Sequence, residues 1–220
     1  MAYVEEDAVV SLDTTQADPP LGLDRIDQRD LPLDDAYTFG ATGSGVTAYV
    51  IDTGIRLSHS EFAGRAILGV DVIGDTAQPG DETPGYDCNG HGTHVAGTIG
   101  GGTFGVAKGV TLVAVRVFDC ASTGTTSSLL AGIDWVTQHH QPSTPAVANV
   151  SVAVIPSSTS VNAAVAQSVA DGITYAVSAG NSNASACNQS PASEGSEPGI
   201  QPRCSARSRA SPSGRLRRRT

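Results

Sequence analysis

The sequence predicts an α/β fold in which a mostly parallel sheet carries helices on both faces. Between residues 111 and 179, apolar and β-branched segments typical of buried strands alternate with helix-compatible segments. The strands predicted over residues 45–51 and 174–179 each run into a short segment that contains glycine and a polar side chain. Open α/β sheets place their functional sites at this edge, so these two strand ends are where we expect chemistry.

The individual elements follow from the local residue pattern. The strand over residues 45–51 is apolar and β-branched, which indicates burial on both faces. The helix predicted over 127–139 carries apolar residues at helical spacing, Leu129 and Ile133 among them. By the same criteria, further strands are predicted over 67–72, 111–118 and 146–154, and further helices over 91–100 and 161–170.

A glycine-rich stretch around His91 has the composition of a catalytic helix start. Residues 89–98 read Asn-Gly-His-Gly-Thr-His-Val-Ala-Gly-Thr, and glycine lets the backbone approach a substrate closely. An imidazole titrates near neutral pH, so a rigidly held His91 is a candidate general base. The alternative is that both histidines are buried in the core with their hydrogen bonds satisfied, but this does not explain why so many glycines surround them. A zinc-peptidase helix does not fit either, because no glutamate separates His91 from His94.

Asp52 and Asn181 complete the outline of an acyl-transfer site. Asp52 follows the strand over 45–51, and Asn181 follows the strand over 174–179. We expect Asp52 to orient the imidazole of His91, which takes a proton, and the Asn181 amide to donate to an oxyanion.

Asp-Thr-Gly, the sequence at residues 52–54, is also the signature of aspartic peptidases. Those enzymes need two such carboxylates, and this chain has one Asp-Thr-Gly.

Composition and charge exclude some classes of function. The 220 residues carry 13 Lys and Arg against 22 Asp and Glu, a formal net charge of −9. The acidic body of the chain argues against binding to nucleic acid or to anionic membranes. No hydrophobic stretch approaches the length of a membrane span, and the first residues do not have the pattern of a signal peptide.

Three segments in a fixed order resemble the subtilisin-like serine peptidases, and within them the proteinase K and aqualysin branch. The segments are residues 49–55 (Tyr-Val-Ile-Asp-Thr-Gly-Ile), residues 87–98 around His91, and residues 177–181 (Val-Ser-Ala-Gly-Asn). The resemblance implies a subtilisin-like, doubly wound sheet that is incomplete at its C-terminal end. It also implies serine endopeptidase chemistry, in which an Asp-His-Ser triad hydrolyses peptide bonds.

The resemblance assigns further residues around the cleft. Cys88 and Cys120 are implied to form a disulfide, the alternative being two free buried thiols. Cys187 is expected to lack a partner, because Cys204 lies in an unrelated tail. Val154 stands where the family commonly has glycine, so it should narrow the first specificity pocket. The residues implied to bind the substrate are Ser122, Thr123 and Gly124 in one segment, and Ser151, Val152 and Ala153 in another.

The nucleophile of the family is missing from this sequence. It is a serine in a Gly-Thr-Ser-Met-Ala motif, which does not occur here, and the one methionine of the chain is Met1. We therefore expect a chain that does not hydrolyse peptides at a useful rate. The alternative is a non-catalytic pseudo-peptidase that binds peptides without cleaving them.

The resemblance divides the chain into three parts. Residues 1–15 resemble the last strand of the inhibitory propeptide, although an ordinary amino-terminal strand also fits. Residues 16–194 resemble part of the peptidase domain. Residues 195–220 resemble nothing in the family and are rich in Arg, Ser, Pro and Gly, as a shifted reading frame in GC-rich DNA would produce. We expect this basic tail to be disordered, a nucleic-acid or membrane tail being the alternative.

The resemblance also bears on cofactors, partners and location. It implies no cofactor for the chemistry; structural calcium is common in the family, but residues after Glu194 that would complete a site are absent. The expected partners are protein or peptide substrates and the propeptide inhibitor, with no nucleic acid and no membrane. The expected state is a monomer. The family is secreted, so we expect an extracellular location despite the missing signal peptide.

Overall fold

Two sheets are present in the part of the chain that the computed structural model describes, residues 14–74, 86–181, 183–195 and 199–201. One is an antiparallel pair of strands, and the other has six strands in which every neighbouring pair is parallel. The antiparallel strands are β1 (Thr14–Ala17) and β2 (Ala36–Phe39), and the parallel strands are β3 (Thr47–Asp52), β4 (Ala66–Asp71), β5 (Thr111–Arg116), β6 (Ala146–Val150), β7 (Thr174–Val177) and β8 (Ile200–Gln201).

The parallel sheet has β3 in its interior. Its strand order is β4-β5-β3-β6-β7-β8, so β3 pairs with β5 on one side and with β6 on the other. Parallel strands need crossover connections, and helices supply several of them. The helices are α1 (Leu21–Ile26), α2 (His91–Gly100), α3 (Thr126–His139) and α4 (Thr159–Ala170), with short 3-10 turns at Ser60–Phe62 and Ala186–Asn188.

Alternate residues of the strands face two separate cores, which explains why the strands are almost continuously apolar. On one face, α3 and α4 cover the sheet, and their Ile133 and Val165 are fully buried in one cluster with Ile51 of β3. We call this cluster the α3–α4 core. On the other face, Ala96 of α2 is buried in a second cluster with Val50 of β3. Helices on both faces of a parallel sheet confirm the predicted α/β class.

Side-chain caps set the starts of α3 and α4. The Thr125 hydroxyl accepts the Ser128 N–H at 3.0 Å, and the Ser128 hydroxyl accepts the Thr125 N–H at 2.9 Å. This reciprocal pair is a capping box. Ser158 caps α4 by accepting the Val161 N–H at 3.3 Å. Both helices consequently begin slightly ahead of the starts predicted from apolar spacing.

One predicted strand is too long, because the apolar residues continue after the chain has left the sheet. The strand predicted over residues 146–154 ends at Val150. Val154 lies outside the parallel ladder because its backbone N–H and C=O pair with Ser190 in an isolated antiparallel bridge. The residues between the strand end and this bridge are free to border a cleft.

One prediction about the end of the chain is wrong. Ile200 is fully buried and lies in β8, which pairs in parallel with β7 in the register Tyr175–Ile200. The expectation of a disordered tail over residues 195–220 fails at Ile200, because the Ile200 side chain joins the α3–α4 core. Residues 202–220 lie outside the described residues, and so do residues 1–13 of the segment 1–15 that resembles the last propeptide strand.

Shortening Ile133 tests the α3–α4 core. We expect Ile133→Ala to lower the free energy of unfolding by about 2–5 kcal/mol, because buried methyl and methylene groups are replaced by a cavity. Gln138→Ala, at an exposed position of the same helix, should change it by less than about 0.5 kcal/mol. Urea unfolding followed by circular dichroism measures both variants, and equal stabilities would contradict this account of the core.

Candidate active site

Asp52 ends β3 in the interior of the sheet and is only 1% exposed. Its Oδ1 accepts the Thr53 backbone N–H and the Nδ1 group of His91, both at 2.7 Å. An ionised carboxylate can only accept hydrogen bonds, so Nδ1 carries the proton and the imidazole lone pair lies on Nε2. The structure thus brings together the carboxylate and the imidazole that the sequence singles out.

The first turn of α2 packs directly on the end of β3 because Gly92 has no side chain. A Cβ at Gly92 would lie 2.2 Å from the carbonyl oxygen of Gly54 and 3.1 Å from the Cβ of Asp52. Gly90, just before the helix, has a φ of +99°, in the left-handed region that favours glycine. Close packing on the strand end therefore accounts for Gly92, and the left-handed backbone before the helix accounts for Gly90.

A second buried carboxylate, Asp87, holds the same two elements together, and the sequence analysis does not single it out. Its Oδ1 accepts the Thr53 hydroxyl at 2.8 Å and the Gly90 N–H at 2.7 Å. Its Oδ2 accepts the N–H and the hydroxyl of Thr93 at 2.8 and 2.6 Å. The Thr53 hydroxyl in turn accepts the Gly92 N–H at 2.9 Å. The available signal was an aspartate just ahead of a helix, where free N–H groups favour a carboxylate.

The surroundings of Asp87 favour its ionised form. Burial alone would raise the pKa of this carboxyl group, but hydrogen bonds from Thr93, Gly90 and Thr53 outweigh burial and lower the pKa below its usual value. The donors come from the end of β3 and from the start of α2. The ionisation of Asp87 is therefore linked to the contact between these two elements.

A cavity of about 270 Å³ opens beside Asp52 and His91. Four of the six residues predicted to bind substrate border it, so the structure gathers both predicted segments around the imidazole. Phe118 adds an aromatic wall that the sequence analysis missed. The residues that line the cavity are Asp52, Thr53, His91, Phe118, Ser122, Ser151, Val152 and Ala153.

Thr123 and Gly124, also predicted to bind substrate, do not line this cavity. Thr123 closes a turn, because its backbone N–H donates to the Asp119 carboxylate at 2.8 Å and its carbonyl accepts the Asp119 N–H at 2.9 Å. A Cβ at Gly124 would lie 2.4 Å from the ring of Phe118. Both residues thus support the segment that carries Ser122.

Asn181 does not line the cavity either. The chain turns after β7 through Gly180, which has a φ of +83°, and Asn181 follows as an exposed residue. Ser178 stabilises this turn, because its hydroxyl accepts the Gly180 N–H at 3.0 Å. Oxyanion donation by Asn181 stays a prediction.

A disulfide and an amide side chain join the two loops that border the cavity. Cys88 and Cys120 are bonded, with their Cα atoms 5.1 Å apart, which confirms the predicted bridge. The Asn89 Nδ2 group donates to the Cys120 carbonyl oxygen and to the Ser122 hydroxyl, both at 2.9 Å. Its Oδ1 accepts the His91 backbone N–H at 3.3 Å. The loop before His91 is thereby fixed to the loop that carries Ser122.

The expectation that Cys187 has no partner is wrong. Cys187 is disulfide-bonded, and no free cysteine occurs in the described ranges. The fourth cysteine of the sequence, Cys204, lies outside them. The expectation rested on the lack of family resemblance in the tail that contains Cys204, which carries no information about the covalent pairing of an individual cysteine.

A larger cavity, of about 530 Å³, lies along α2 and includes neither Asp52 nor His91. Its polar lining includes Arg56, His59 and His94. Within residues 14–74, 86–181, 183–195 and 199–201, no group of three or more His, Cys, Asp or Glu side chains could hold a metal ion. Calcium binding stays a prediction from the resemblance.

Comparison with known proteins shows the family to which the chain belongs. Residues 43–201 match the model of the subtilase family, Peptidase_S8. The chain belongs to the subtilase family. Subtilases are serine endopeptidases whose chemistry needs no cofactor, and the relatives of this chain are of the proteinase K and aqualysin type. Among the described residues, no helix has both the length and the apolar character needed to cross a membrane.

Individual subtilases align with most of this chain. It is 54% identical over 195 residues to an extracellular serine proteinase of Thermus sp. (strain Rt41A), an alignment that covers 87% of this chain and 45% of that protein. It is 49% identical over 196 residues to alkaline serine exoprotease A of Vibrio alginolyticus, covering 86% of this chain and 35% of that protein. The chain spans about half, or less, of the length of these relatives.

A solved subtilase structure has the same fold. The crystal structure of a cold adapted subtilisin-like serine proteinase superposes with a TM-score of 0.74 at 49% sequence identity. The match covers 81% of this chain and 62% of that chain. The predicted subtilisin-like architecture is therefore confirmed.

Neutralising Asp87 should weaken the hydrogen-bonded contact between β3 and α2. We expect Asp87→Asn to lower the free energy of unfolding by about 2–3 kcal/mol at neutral pH, because charge-assisted hydrogen bonds are lost. Folding lowers the pKa of Asp87, so its contribution to stability is complete above the unfolded pKa of about 3.9 and is lost as the pH falls below it. The Asp87→Asn variant should lack this loss of stability at acidic pH.

Urea unfolding at a series of pH values from neutral to acidic measures the effect. Asp134→Asn, at an exposed position of α3, is the matched control and should follow the wild-type curve. If Asp87→Asn and the wild type lose stability in parallel as the pH falls, Asp87 does not carry the linkage.

Proposed function

We propose that this chain presents the general-base half of a subtilase active site, together with a peptide-binding cleft, and does not itself cleave peptide bonds. The observation that carries the proposal is the 2.7 Å hydrogen bond between Asp52 and His91 at the edge of a cavity. In a polypeptide that also carried the serine of the family, this pair would complete an Asp-His-Ser triad.

The proposed roles follow from the direction of the hydrogen bonds. Asp52 holds the proton on Nδ1 of His91, which leaves Nε2 able to accept a proton from an attacking group. Asn181 is assigned the donation of a hydrogen bond to the oxyanion. An extended peptide would pair its backbone with the segments beside the cavity, as an added strand does. These segments comprise Ser122, Thr123, Gly124, Ser151, Val152 and Ala153.

The hydroxyl groups beside the cavity support the proposed lack of peptidase activity. The Ser122 hydroxyl accepts a hydrogen bond from Asn89. The Ser151 hydroxyl accepts one from the Asn149 amide at 2.8 Å. An activated serine must lie within hydrogen-bond reach of its base, and among the described residues no serine hydroxyl bonds to His91. The family's Gly-Thr-Ser-Met-Ala motif is likewise absent from the sequence.

The second candidate function is that of a pseudo-peptidase, for which peptide binding is the whole function and no serine completes the triad; the cavity favours it. Both substrate segments border it, and Phe118 and Val152 give it apolar walls. We further propose protein or peptide partners, control by a propeptide inhibitor, a monomeric state and an extracellular location. The location is supported by one relative's name, an extracellular serine proteinase. Structural calcium is proposed only for a complete domain.

The purified 220-residue chain should not cleave a chromogenic peptide substrate. We expect no rate above that of the buffer, with or without a serine-directed phosphonate, because no positioned hydroxyl can form an acyl-enzyme. Release of the chromophore is followed by absorbance. Cleavage that the phosphonate abolishes would show that a serine of this chain acts as the nucleophile.

Filling the cavity should weaken peptide binding. Ala153 is exposed and lines the cavity, so we expect Ala153→Trp to reduce the affinity for an extended fluorescent peptide by at least about tenfold, or 1.4 kcal/mol. Ala163→Trp, at an exposed position of α4, is the size-matched control and should bind as the wild type does. Fluorescence anisotropy gives both affinities. Equal affinities for the two variants would place the peptide elsewhere.

A further inference from the structure

The larger cavity along α2 has no part in the proposed function, and its lining residues do not overlap with those of the peptide-binding cleft. We call it the α2 cavity. Its volume of about 530 Å³ lies within the usual range for ligand pockets, ~300–1,000 Å³. Besides α2, the 3-10 turn at Ser60–Phe62 and the segment that carries Phe104 border it. Ligand pockets combine apolar walls with a few fixed polar groups, and this cavity has both.

Arg56 is the one arginine or lysine on the lining of the α2 cavity. Its Nε–H donates to the Asp87 backbone carbonyl oxygen at 3.2 Å, and its guanidinium carbon lies 5.8 Å from the centroid of the Tyr86 ring. In the described part of the chain, its two amino groups make no hydrogen bond and no ion pair. A guanidinium group held in this way can bind a carboxylate through two parallel hydrogen bonds.

His59 supplies a second donor to the same space. Its Nδ1 accepts the Glu61 backbone N–H at 3.3 Å, so the proton of the neutral imidazole lies on Nε2. Within the described ranges, Nε2 makes no hydrogen bond. The ring packs against Phe62, with the two ring centroids 5.6 Å apart. The orientation and the tautomer of this imidazole are therefore both set by its neighbours.

Glu61, the one acidic residue on the lining, is engaged by a neighbouring loop. Its Oε2 accepts the backbone N–H groups of Thr103 and Phe104 at 2.8 and 3.3 Å. Burial alone would raise the pKa of Glu61, but these hydrogen bonds outweigh burial and lower the pKa below its usual value. The charge of Glu61 thus fastens the loop that carries Phe104, whereas the charge of Arg56 stays available to a ligand.

Aromatic side chains supply the apolar surface of the α2 cavity. Phe62 is 1% exposed, whereas Phe104 is 57% exposed and leaves most of its ring uncovered. On the helix, Gly97 lines the same space, and a Cβ at this position would meet no atom within 4 Å. The cavity therefore has room for a ring that packs against aromatic side chains, an arrangement that is favourable beyond the burial of area.

We propose that the α2 cavity binds a carboxylate that is attached to an aromatic group. The carboxylate pairs with Arg56 and accepts a hydrogen bond from Nε2 of His59, and the aromatic group lies against Phe62 and Phe104. Free aromatic acids carry this chemistry, and so does the carboxyl terminus of a peptide that ends in an aromatic residue. The proposal goes beyond the proposed function, because it concerns a different cavity and needs no bound substrate.

The experiment titrates the isotope-labelled 220-residue chain with N-acetylphenylalanine and, separately, with its amide, followed by nuclear magnetic resonance. We expect the acid to bind saturably and to shift the amide signals of Gly97 and Thr98. The amide should bind at least about tenfold more weakly, because it offers Arg56 no charge. Equal affinities of the acid and the amide, or the absence of saturable binding, would overturn the proposal. Shifts confined to Ser122 and Ser151 would also overturn it.

Two variants separate the charge from the space. Arg56→Gln should weaken binding of the acid by at least about tenfold and leave the amide unaffected. Arg29→Gln, which removes an exposed arginine that does not line the cavity, should bind the acid as the wild type does. Gly97→Leu should weaken binding of both compounds by at least about tenfold, because its side chain occupies the open space.

Loss of fold is distinguished from loss of the site. Leucine is a better helix former than glycine, and circular dichroism and urea unfolding verify that both variants are folded. The selective loss of the acid by Arg56→Gln is a second safeguard, because a damaged fold would weaken binding of the amide as well. A folded Arg56→Gln or Gly97→Leu that binds the acid with the affinity of the wild type overturns the proposal.

An alanine peptide that ends in phenylalanine distinguishes the two sources of the carboxylate. Binding at least as tight as that of N-acetylphenylalanine assigns the cavity to peptide ends, and weaker binding assigns it to free aromatic acids; both results support the site. Ala153→Trp, which fills the peptide-binding cleft, should leave the affinity for N-acetylphenylalanine unchanged, and a loss would overturn the proposal. If the acid does not bind but the extended peptide does, the proposed function stands alone.

Discussion

The buried carboxylate of Asp87 is the interaction on which the site depends. An ionised group without access to water must be satisfied by hydrogen-bond donors, and those donors come from Thr53 after β3 and from Gly90 and Thr93 around the start of α2. Because these donors must reach the Asp87 carboxylate, the start of α2 is fixed relative to the end of β3. The 2.7 Å distance between Asp52 and His91 is a consequence of that placement.

Local pattern was enough to predict the fold class and the pairing of Asp52 with His91, because Asp52 follows a buried strand and His91 begins a glycine-rich helix. The roles of Asp87 and Asn89 were missed in part because the contacts of Asp87 with Thr53 and of Asn89 with Ser122 join segments that are distant in sequence. The errors at Val154 and Ile200 have a similar origin. Whether an apolar residue continues a ladder, leaves it or joins a core is decided by its neighbours in space, here Ser190 and the residues around Tyr175.

The two loops beside the cavity form one mechanical unit with the imidazole. The Cys88–Cys120 bridge connects them covalently, and Asn89 connects them through hydrogen bonds to Ser122 and to the His91 backbone. A displacement of the loop that carries Ser122 would therefore be transmitted to the first turn of α2. The covalent and hydrogen-bonded links between the two loops thus position the cavity wall and the imidazole of His91 together.

The position of β3 in the sheet has a consequence for how the chain acquires its structure. β3 precedes both of its neighbours, since β5 and β6 lie much later in the chain. During synthesis, this apolar strand emerges with both edges unsatisfied and stays so until the later strands arrive. Pairings between such distant segments make folding slow, and unsatisfied edges invite association with other chains. The strand that ends in Asp52 is thus also the segment most exposed to aggregation before folding is complete.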